Sequence, residues 1–281
     1  MSKPHILLTN DDGIRSPGLW AAAEALSQIG FVTVVAPREQ SSGAGRSLPI
    51  SSDGLIREEI IEIHGKSWKV YAVGGTPAQV VQHGFLEILS QKPDLVVSGI
   101  NYGENVATGI TISGTVGAAM EAASMGIPAL AMSLATDKAH HLSYSTDVDF
   151  STAAHFTLVF SRMLLKRHLP GGVDLLKVDV PADATADTPW EWTQLSRQRY
   201  YMPTKPKRSS WDISEPVGYE INMNFEAEPQ NSDVYTLIRK RRVSVTPLTL
   251  DMTARVDENV LNHFAKQGNH LNAASSPRSS S

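Results

Sequence analysis

The run Asn10-Asp11-Asp12-Gly13 places two carboxylates side by side at the end of the apolar segment His5–Thr9. Adjacent carboxylates repel each other, and a pair kept at the buried end of a strand is most stable with a cation beside it. Further polar oxygens follow other apolar segments: Ser42 in the loop after Phe31–Ala36, and Asn101 directly after Asp94–Ile100. Asp11, Asp12, Ser42 and Asn101 would form an oxygen-only shell, which suits Mg²⁺ or Mn²⁺ and suits zinc poorly. The plain alternative is a turn in which Asp11 or Asp12 caps backbone amides. Polar groups after two further strands weigh against it. Ser113-Gly114-Thr115 opens a helix, where free N–H groups and the positive dipole end attract phosphate and Gly114 permits close approach. Ser113 reads equally as an N-cap, and both roles can coexist. The chemistry expected from this set is metal-assisted hydrolysis of a phosphate ester.

These residues need elements to bring them together. Strand and helix patterns alternate through the first half of the chain, the signature of a parallel sheet covered on both faces. After the strand His5–Thr9, Ser16 and Pro17 open a helix that runs toward Gly30. Phe31–Ala36 is the second strand, Pro37–Pro49 a polar loop, and Ile50–Val73 a strand pair in which Trp68–Val73 rejoins the sheet. Thr76 and Pro77 start a helix ending near Leu89. Strand Asp94–Ile100, helix Thr115–Met125, strand Pro128–Ser133, helix Phe150–Arg167 and strand Leu175–Val180 follow, the last closing the main sheet. In an open parallel sheet, ligands bind at the carboxyl ends of the strands where strand order reverses. Asp11, Asp12, Ser42, Asn101 and Asn105 all follow strand ends.

The expected fold is therefore α/β: a Rossmann-like, mostly parallel sheet with helices on both faces over residues 1–181. Beyond Pro181 the aromatics, prolines and short alternating runs, Tyr219–Phe225 and Val234–Val245, suggest a β-hairpin arm over 182–250. A helix at Asp257–Gln267 lies within 251–272, and the serine-rich tail 273–281 is expected to be disordered.

Hydrophobic residues make up 41% and charged residues 19%, which excludes wholesale disorder. A net charge of -4 gives no basic footprint for nucleic acid as the main partner. The absence of cysteine removes disulfides, thiolate metal sites and cysteine nucleophiles, and fits a cytoplasmic protein. Met-Ser-Lys-Pro-His leads straight into a strand, and no apolar run of about 18 residues occurs, so neither secretion nor a membrane is expected.

Five motifs occur in order: Leu-Thr-Asn-Asp-Asp-Gly-Ile (8–14), Val-Ala-Pro (35–37) with Ser42 beyond it, Gly-Thr-Pro-Ala (75–78), Ser-Gly-Ile-Asn-Tyr-Gly-Glu-Asn (98–105) and Ser-Gly-Thr-Val-Gly-Ala-Ala (113–119). In these the chain resembles the SurE family, the survival-protein-E type of 5'-nucleotidase. The likeness is close over residues 5–133, and the sheet-plus-arm layout continues to residue 265. It implies a metal-dependent phosphatase of nucleoside 5'-monophosphates, with 3'-monophosphates and short polyphosphates as further candidate substrates. One Mg²⁺ or Mn²⁺ per subunit is implied, with Asp11, Asp12, Ser42 and Asn101 at the ligand positions. A homodimer or homotetramer that exchanges the C-terminal hairpin or helix is implied as well. Ser41, where the family commonly has a basic residue, remains a second candidate beside Ser42.

The expected mechanism is direct attack of water on the phosphomonoester. One aspartate, Asp11 by preference over Asp12, would take the water's proton, while Asn105 and the turn Ser113–Thr115 hold phosphoryl oxygens. Rival readings fit less well. A haloacid-dehalogenase-type phosphatase needs its second acid two positions after the first, where this chain has Gly13. A receiver-like module needs a phospho-accepting aspartate after a later strand, and Asn101 cannot form an acyl phosphate. A dinucleotide binder needs a Gly-x-Gly-x-x-Gly after the first strand, which is absent. His140 and His141 read as solvated loop residues and His83 as a helix residue. Arg239–Arg242 reads as an exposed hairpin face, and Trp190, Trp192 and Trp211 as packing or interface residues.

Overall fold

The structure, a computed structural model, describes residues 3–141, 144–166, 168–222, 224 and 228–273. In chain order its elements are β1 (His5–Thr9), α1 (Pro17–Ser27), β2 (Phe31–Pro37), β3 (Ile56–Ile63), β4 (Lys66–Val73), α2 (Pro77–His83), β5 (Leu95–Tyr102), α3 (Gly114–Ser124), β6 (Ala129–Leu134), α4 (Ser151–Lys166), β7 (Leu175–Val180), β8 (Trp190–Trp192), β9 (Tyr201–Thr204), β10 (Gly218–Ile221), α5 (Asp233–Ile238), β11 (Val243–Leu248) and α6 (Glu258–Ala273). The main sheet has the order β3-β4-β2-β1-β5-β6-β7-β11-β8. Its six central strands, β4 to β7 in that order, are parallel.

The alternation within β1 shows why both faces are covered. Ile6 and Leu8 point to one face, where Leu19 and Trp20 of α1 and Phe156 of α4 complete a core. Leu7 points to the other, against Val80 and Val81 of α2 and Val116 and Ala119 of α3. A strand buried on both faces tends to carry a continuous apolar run, and Ile6–Leu8 of β1, Leu95–Val97 of β5 and Ala129–Met132 of β6 are such runs. Thr76 caps α2 through a full capping box with Gln79. Ser16 stands at the N-cap position of α1 but makes no cap bond; its buried hydroxyl has no hydrogen-bond partner among the described residues.

The expected boundaries differ mainly after Val180. Leu175–Val180 does not close the sheet: β11 pairs antiparallel with β7, from Ser244 opposite Asp179 to Leu248 opposite Leu175, and β8 pairs parallel with β11. The run expected as a hairpin at Val234–Val245 is a helix followed by a strand. Ser232 caps α5 by accepting the Tyr235 N–H at 3.1 Å, and Val234 and Leu237, three apart, bury one side of it. The expected strand Tyr219–Phe225 is β10 as far as Ile221 and pairs with β9; residues 223 and 225 lie outside the described residues. So do residues 274–281, where the disordered tail was expected.

The chain divides into two compact units, Met1–Leu250 and Asp251–Ser281. The second contains α6. Among the described residues, no helix is long and apolar enough to cross a membrane.

The chain passes from β1 outward to β2 and β4, then returns across the sheet to β5 on the opposite side of β1. Strand order therefore reverses between β1 and β5, and their carboxyl ends flank the crevice in which α/β sheets bind ligands.

Candidate active site

Asp11 and Asp12 leave β1 at that reversal. The turn that carries them is closed by Asn10, whose Oδ1 accepts the Gly13 N–H at 3.2 Å and whose Nδ2 donates to the Gly13 carbonyl at 3.1 Å. Gly13 has φ +95°, and an added Cβ would meet the Glu39 carbonyl carbon at 3.1 Å, so only glycine fits. Both carboxylates are buried, at 5% and 2% exposure, which is unusual enough for adjacent acids to need a cause.

Each carboxylate is held by identifiable donors. Asp11 accepts the Thr115 hydroxyl at the start of α3 in a short hydrogen bond. The same hydroxyl lies 3.3 Å from Asn101 Oδ1 at the end of β5. Asp12 Oδ1 accepts from Gln40 Nε2 at 2.9 Å, and its Oδ2 from the Tyr102 N–H at 3.3 Å. The Asn101 amide is oriented without ambiguity, because its Nδ2 donates to two backbone carbonyls, Tyr102 at 3.0 Å and Gly103 at 2.7 Å. Its oxygen is thereby turned toward the Thr115 hydroxyl, which also binds Asp11.

The electrostatics follow from this packing. Burial pushes the Asp11 carboxyl above its ordinary range, opposed by the Thr115 hydroxyl and by the backbone N–H groups of Thr115 and Gly114. Burial, and then the neighbouring Asp11 charge, push Asp12 well above the ordinary range. Two carboxylates raised by desolvation, Asp12 further by the charge of Asp11, are the groups a bound cation relieves. The donor set also fits: with Asn101 presenting oxygen, it is hard and oxygen-only, as Mg²⁺ and Mn²⁺ require. Among the described residues no group of three His, Cys, Asp or Glu side chains could hold a metal, so a cation here must draw on neutral oxygens.

The remaining expected residues are placed as follows. Ser41 donates its backbone N–H to the Asp11 carbonyl at 2.7 Å, which ties the loop after β2 to the acidic turn; Ser42 follows on the exposed side. Ser113 caps α3, its Oγ accepting the Val116 N–H at 3.1 Å. Gly114 packs directly on Asp11, with an ideal Cβ position only 2.7 Å from Asp11 Cβ. The first N–H groups of α3 therefore face the acidic turn, and a phosphoryl group there would share them with Asp11. Asn105 lies one strand over, its Nδ2 donating to Ser133 Oγ of β6 at 2.9 Å.

Several neighbours of the site carry no signal of that role in the sequence. Gln40 bridges Asp12 and the His141 carbonyl, the latter at 3.0 Å. Tyr144 donates its hydroxyl to the Asp12 carbonyl at 2.8 Å. His141, expected as a solvated loop residue, is partly buried, stacks on Tyr219 and bonds its hydroxyl at 2.9 Å. The Arg239–Arg242 run is not a hairpin face; Lys240 and Arg242 pair with Glu191, and Arg241 pairs with Asp183. Trp211 is 95% exposed and is not a packing residue of its own unit. A cavity of about 860 Å³, lined by Pro4, Asp94, Pro128 and Val173, lies at the amino ends of the strands, away from the carboxylates.

Residues 6–202 match the family model described as survival protein SurE. A 5'-nucleotidase SurE of Thermococcus gammatolerans is 44% identical over 252 residues, which cover 90% of this chain and 92% of the relative. The chain belongs to the SurE family. A second SurE relative, from Methanocella arvoryzae, is 40% identical over 89% of the chain and 93% of its own length. The crystal structure of the SurE protein of Aquifex aeolicus superimposes with a TM-score of 0.71 at 31% identity, covering 94% of this chain and all of that one. The SurE fold thus accounts for both the sheet and the strands beyond β7.

Proposed function

We propose that this SurE-family chain is a 5'-nucleotidase, hydrolysing nucleoside 5'-monophosphates to nucleoside and phosphate with the help of one Mg²⁺ or Mn²⁺ per subunit. The observation that carries the reading is the meeting of Asp11 and the oriented Asn101 oxygen at the Thr115 hydroxyl, with the buried Asp12 carboxylate next to Asp11 in the chain, at the β1–β5 reversal. The names of the relatives support the nucleotide substrate.

Asp11, Asp12, Asn101 and Ser42 would hold the cation, which when bound supplies charge to polarise the phosphoryl group and to acidify water. Asp11 is the residue proposed to accept the proton of the attacking water at its carboxylate. Thr115 fixes that carboxylate, and Gln40 and the Tyr102 N–H fix Asp12, so neither needs to reorganise during the reaction. Ser113, Gly114, Thr115 and Asn105 are proposed to hold phosphoryl oxygens. Nucleoside 3'-monophosphates and short polyphosphates present the same terminal group and belong to the same proposal. Exposed Val260, Leu261 and Phe264 on α6 support a homodimer or homotetramer in which the C-terminal segment covers a second copy. A cysteine-free enzyme of nucleotides fits the cytoplasm.

Phosphate release from purine and pyrimidine monophosphates, with Mg²⁺ or Mn²⁺ and with chelator, tests the reading against Asp12→Ala. Cation-dependent release by the wild type and none by the variant is expected. Equal release by both would defeat the proposal.

A further inference from the structure

Lys177 lies in the middle of β7 with its side chain fully buried, as are those of Asp179 and Asp233. Its Nζ donates to Asp179 Oδ2 at 2.5 Å and to Asp233 Oδ2 at 3.3 Å. Burial opposes the ammonium charge, but the two facing carboxylates outweigh it and hold Lys177 protonated above its usual range. Three charges withdrawn from water are costly, and apolar side chains could fill the same volume. What the other carboxylate contacts do is therefore informative. Asp179 Oδ1 accepts the Asn105 N–H at 2.7 Å. Asp233 Oδ2 accepts the Ala107 N–H at 2.9 Å, and its Oδ1 accepts those of Ser196 and Val234, both at 2.9 Å. Ala107 has φ 55°, a left-handed conformation that alanine rarely adopts unaided. Two alternate N–H groups of the segment leaving β5 thus end on carboxylates bound to one ammonium.

The register brings this cluster beside the active site. Asn101 of β5 stands opposite Ser133 of β6, and Ser133 stands opposite Asp179 of β7. Ser133 is also the acceptor for the Asn105 side chain. We infer that Lys177, Asp179 and Asp233 are positioning residues: one buried ammonium joins the two carboxylates that hold the backbone of Asn105 and Ala107, and so sets Asn105 at the carboxyl ends of β5 and β6. What Asn105 does there rests on the phosphatase reading; what holds it rests on the hydrogen bonds alone.

The test pairs two substitutions at one position. Asp179→Leu removes the acceptor for the Asn105 N–H, whereas Asp179→Asn keeps an oxygen for it in the same volume. In the full chain, Asp179→Leu is expected to speed amide exchange of Asn105 and Ala107 about tenfold or more. Its kcat should fall about 100-fold, as for a displaced positioning group, with KM within about threefold of wild type. Asp179→Asn should recover protection and most of the turnover. Leu164→Ala, a cavity in α4, should lower the melting temperature and leave both readouts unchanged. Should Asp179→Leu not fold, Lys177→Gln, which keeps one donor without the charge, is expected to lose protection and kcat in the same direction by a smaller factor. Wild-type protection and kcat in a folded Asp179→Leu or in Lys177→Gln overturn the inference, as does an Asp179→Asn no better than Asp179→Leu. If the wild type released no phosphate while the exchange pattern held, the phosphatase reading would fall and the positioning would stand.

Discussion

Adding one methyl group at Gly114 sets two effects of opposite sign against each other. Gly114 is the first residue of α3, and alanine in a helix interior is favoured over glycine by up to about 1 kcal/mol, less in a first turn. On propensity alone Gly114→Ala would be neutral or stabilising. The contacts say otherwise. An ideal Cβ there lies 2.7 Å from Asp11 Cβ, 2.8 Å from Asp11 Oδ2 and 3.0 Å from Pro77 Cγ. Carbon atoms settle at about 3.5–4.0 Å, so Asp11 or the start of α3 must retreat by about 0.8 Å. Asp11 cannot yield by rotating a flexible end, because its Cβ rides on a backbone whose carbonyl accepts the Ser41 N–H at 2.7 Å. A displacement approaching 1 Å at a catalytic group costs about 100-fold in rate. The assay is kcat for a nucleoside monophosphate at saturating Mn²⁺, with melting temperature measured alongside. Gly171→Ala, where a new Cβ meets nothing within 4 Å, is the matched control. A Gly114→Ala enzyme turning over at the wild-type rate would refute the reasoning that α3 is seated against Asp11.

Asp11→Asn, measured with the cation still bound, should abolish most turnover; normal turnover would remove Asp11 as the base. Because burial raises both site aspartates, the folded metal-free protein retains protons that the unfolded chain releases above the ordinary value of 3.8. Stability of the metal-free protein should therefore fall as pH rises from there through the raised folded values, and the thermal shift on adding Mn²⁺ should grow over the same range; a shift independent of pH counts against a cation at these carboxylates. Asn101→Asp turns an oxygen toward two backbone carbonyls that now receive N–H donors, and should destabilise the fold by about 1–3 kcal/mol in denaturant unfolding. Lys177→Met leaves two buried carboxylates without their cation and should cost about 3–5 kcal/mol, a drop of about 10 °C in melting temperature; an unchanged transition would show that the cluster is not charged as described.

Local rules and motif order sufficed for the alternating strand–helix core, the acidic turn after β1 and the caps at Thr76 and Ser113. Each depends on residues within a turn or a strand of one another: alternating apolar side chains, a hydroxyl three residues before its N–H donor, a proline at a helix start. The same rules misread Val234–Val245, because six residues capped by Ser232 form a helix whose burial comes from distant partners such as Tyr200 and Val106. They also stopped the sheet at β7, since pairing of β11 with β7 is decided by contacts across more than sixty residues of chain. In β7 itself, Lys177 and Asp179 two apart in an otherwise apolar strand were a legible anomaly, since charges are seldom buried unpaired. Asp233, their third partner, gave no such sign.

The acidic pair shows the division most clearly. The residue types alone determined that Asn10-Asp11-Asp12-Gly13 could hold a hard cation at a strand end, and equally that it could be a capped turn. Tertiary structure decided how buried the carboxylates are, that Thr115 and Gln40 hold them, and that the Asn101 oxygen meets the Thr115 hydroxyl that binds Asp11. The physical reason is that acidity and orientation depend on desolvation and on donors brought from other strands, and neither is a property of neighbouring residues in the chain.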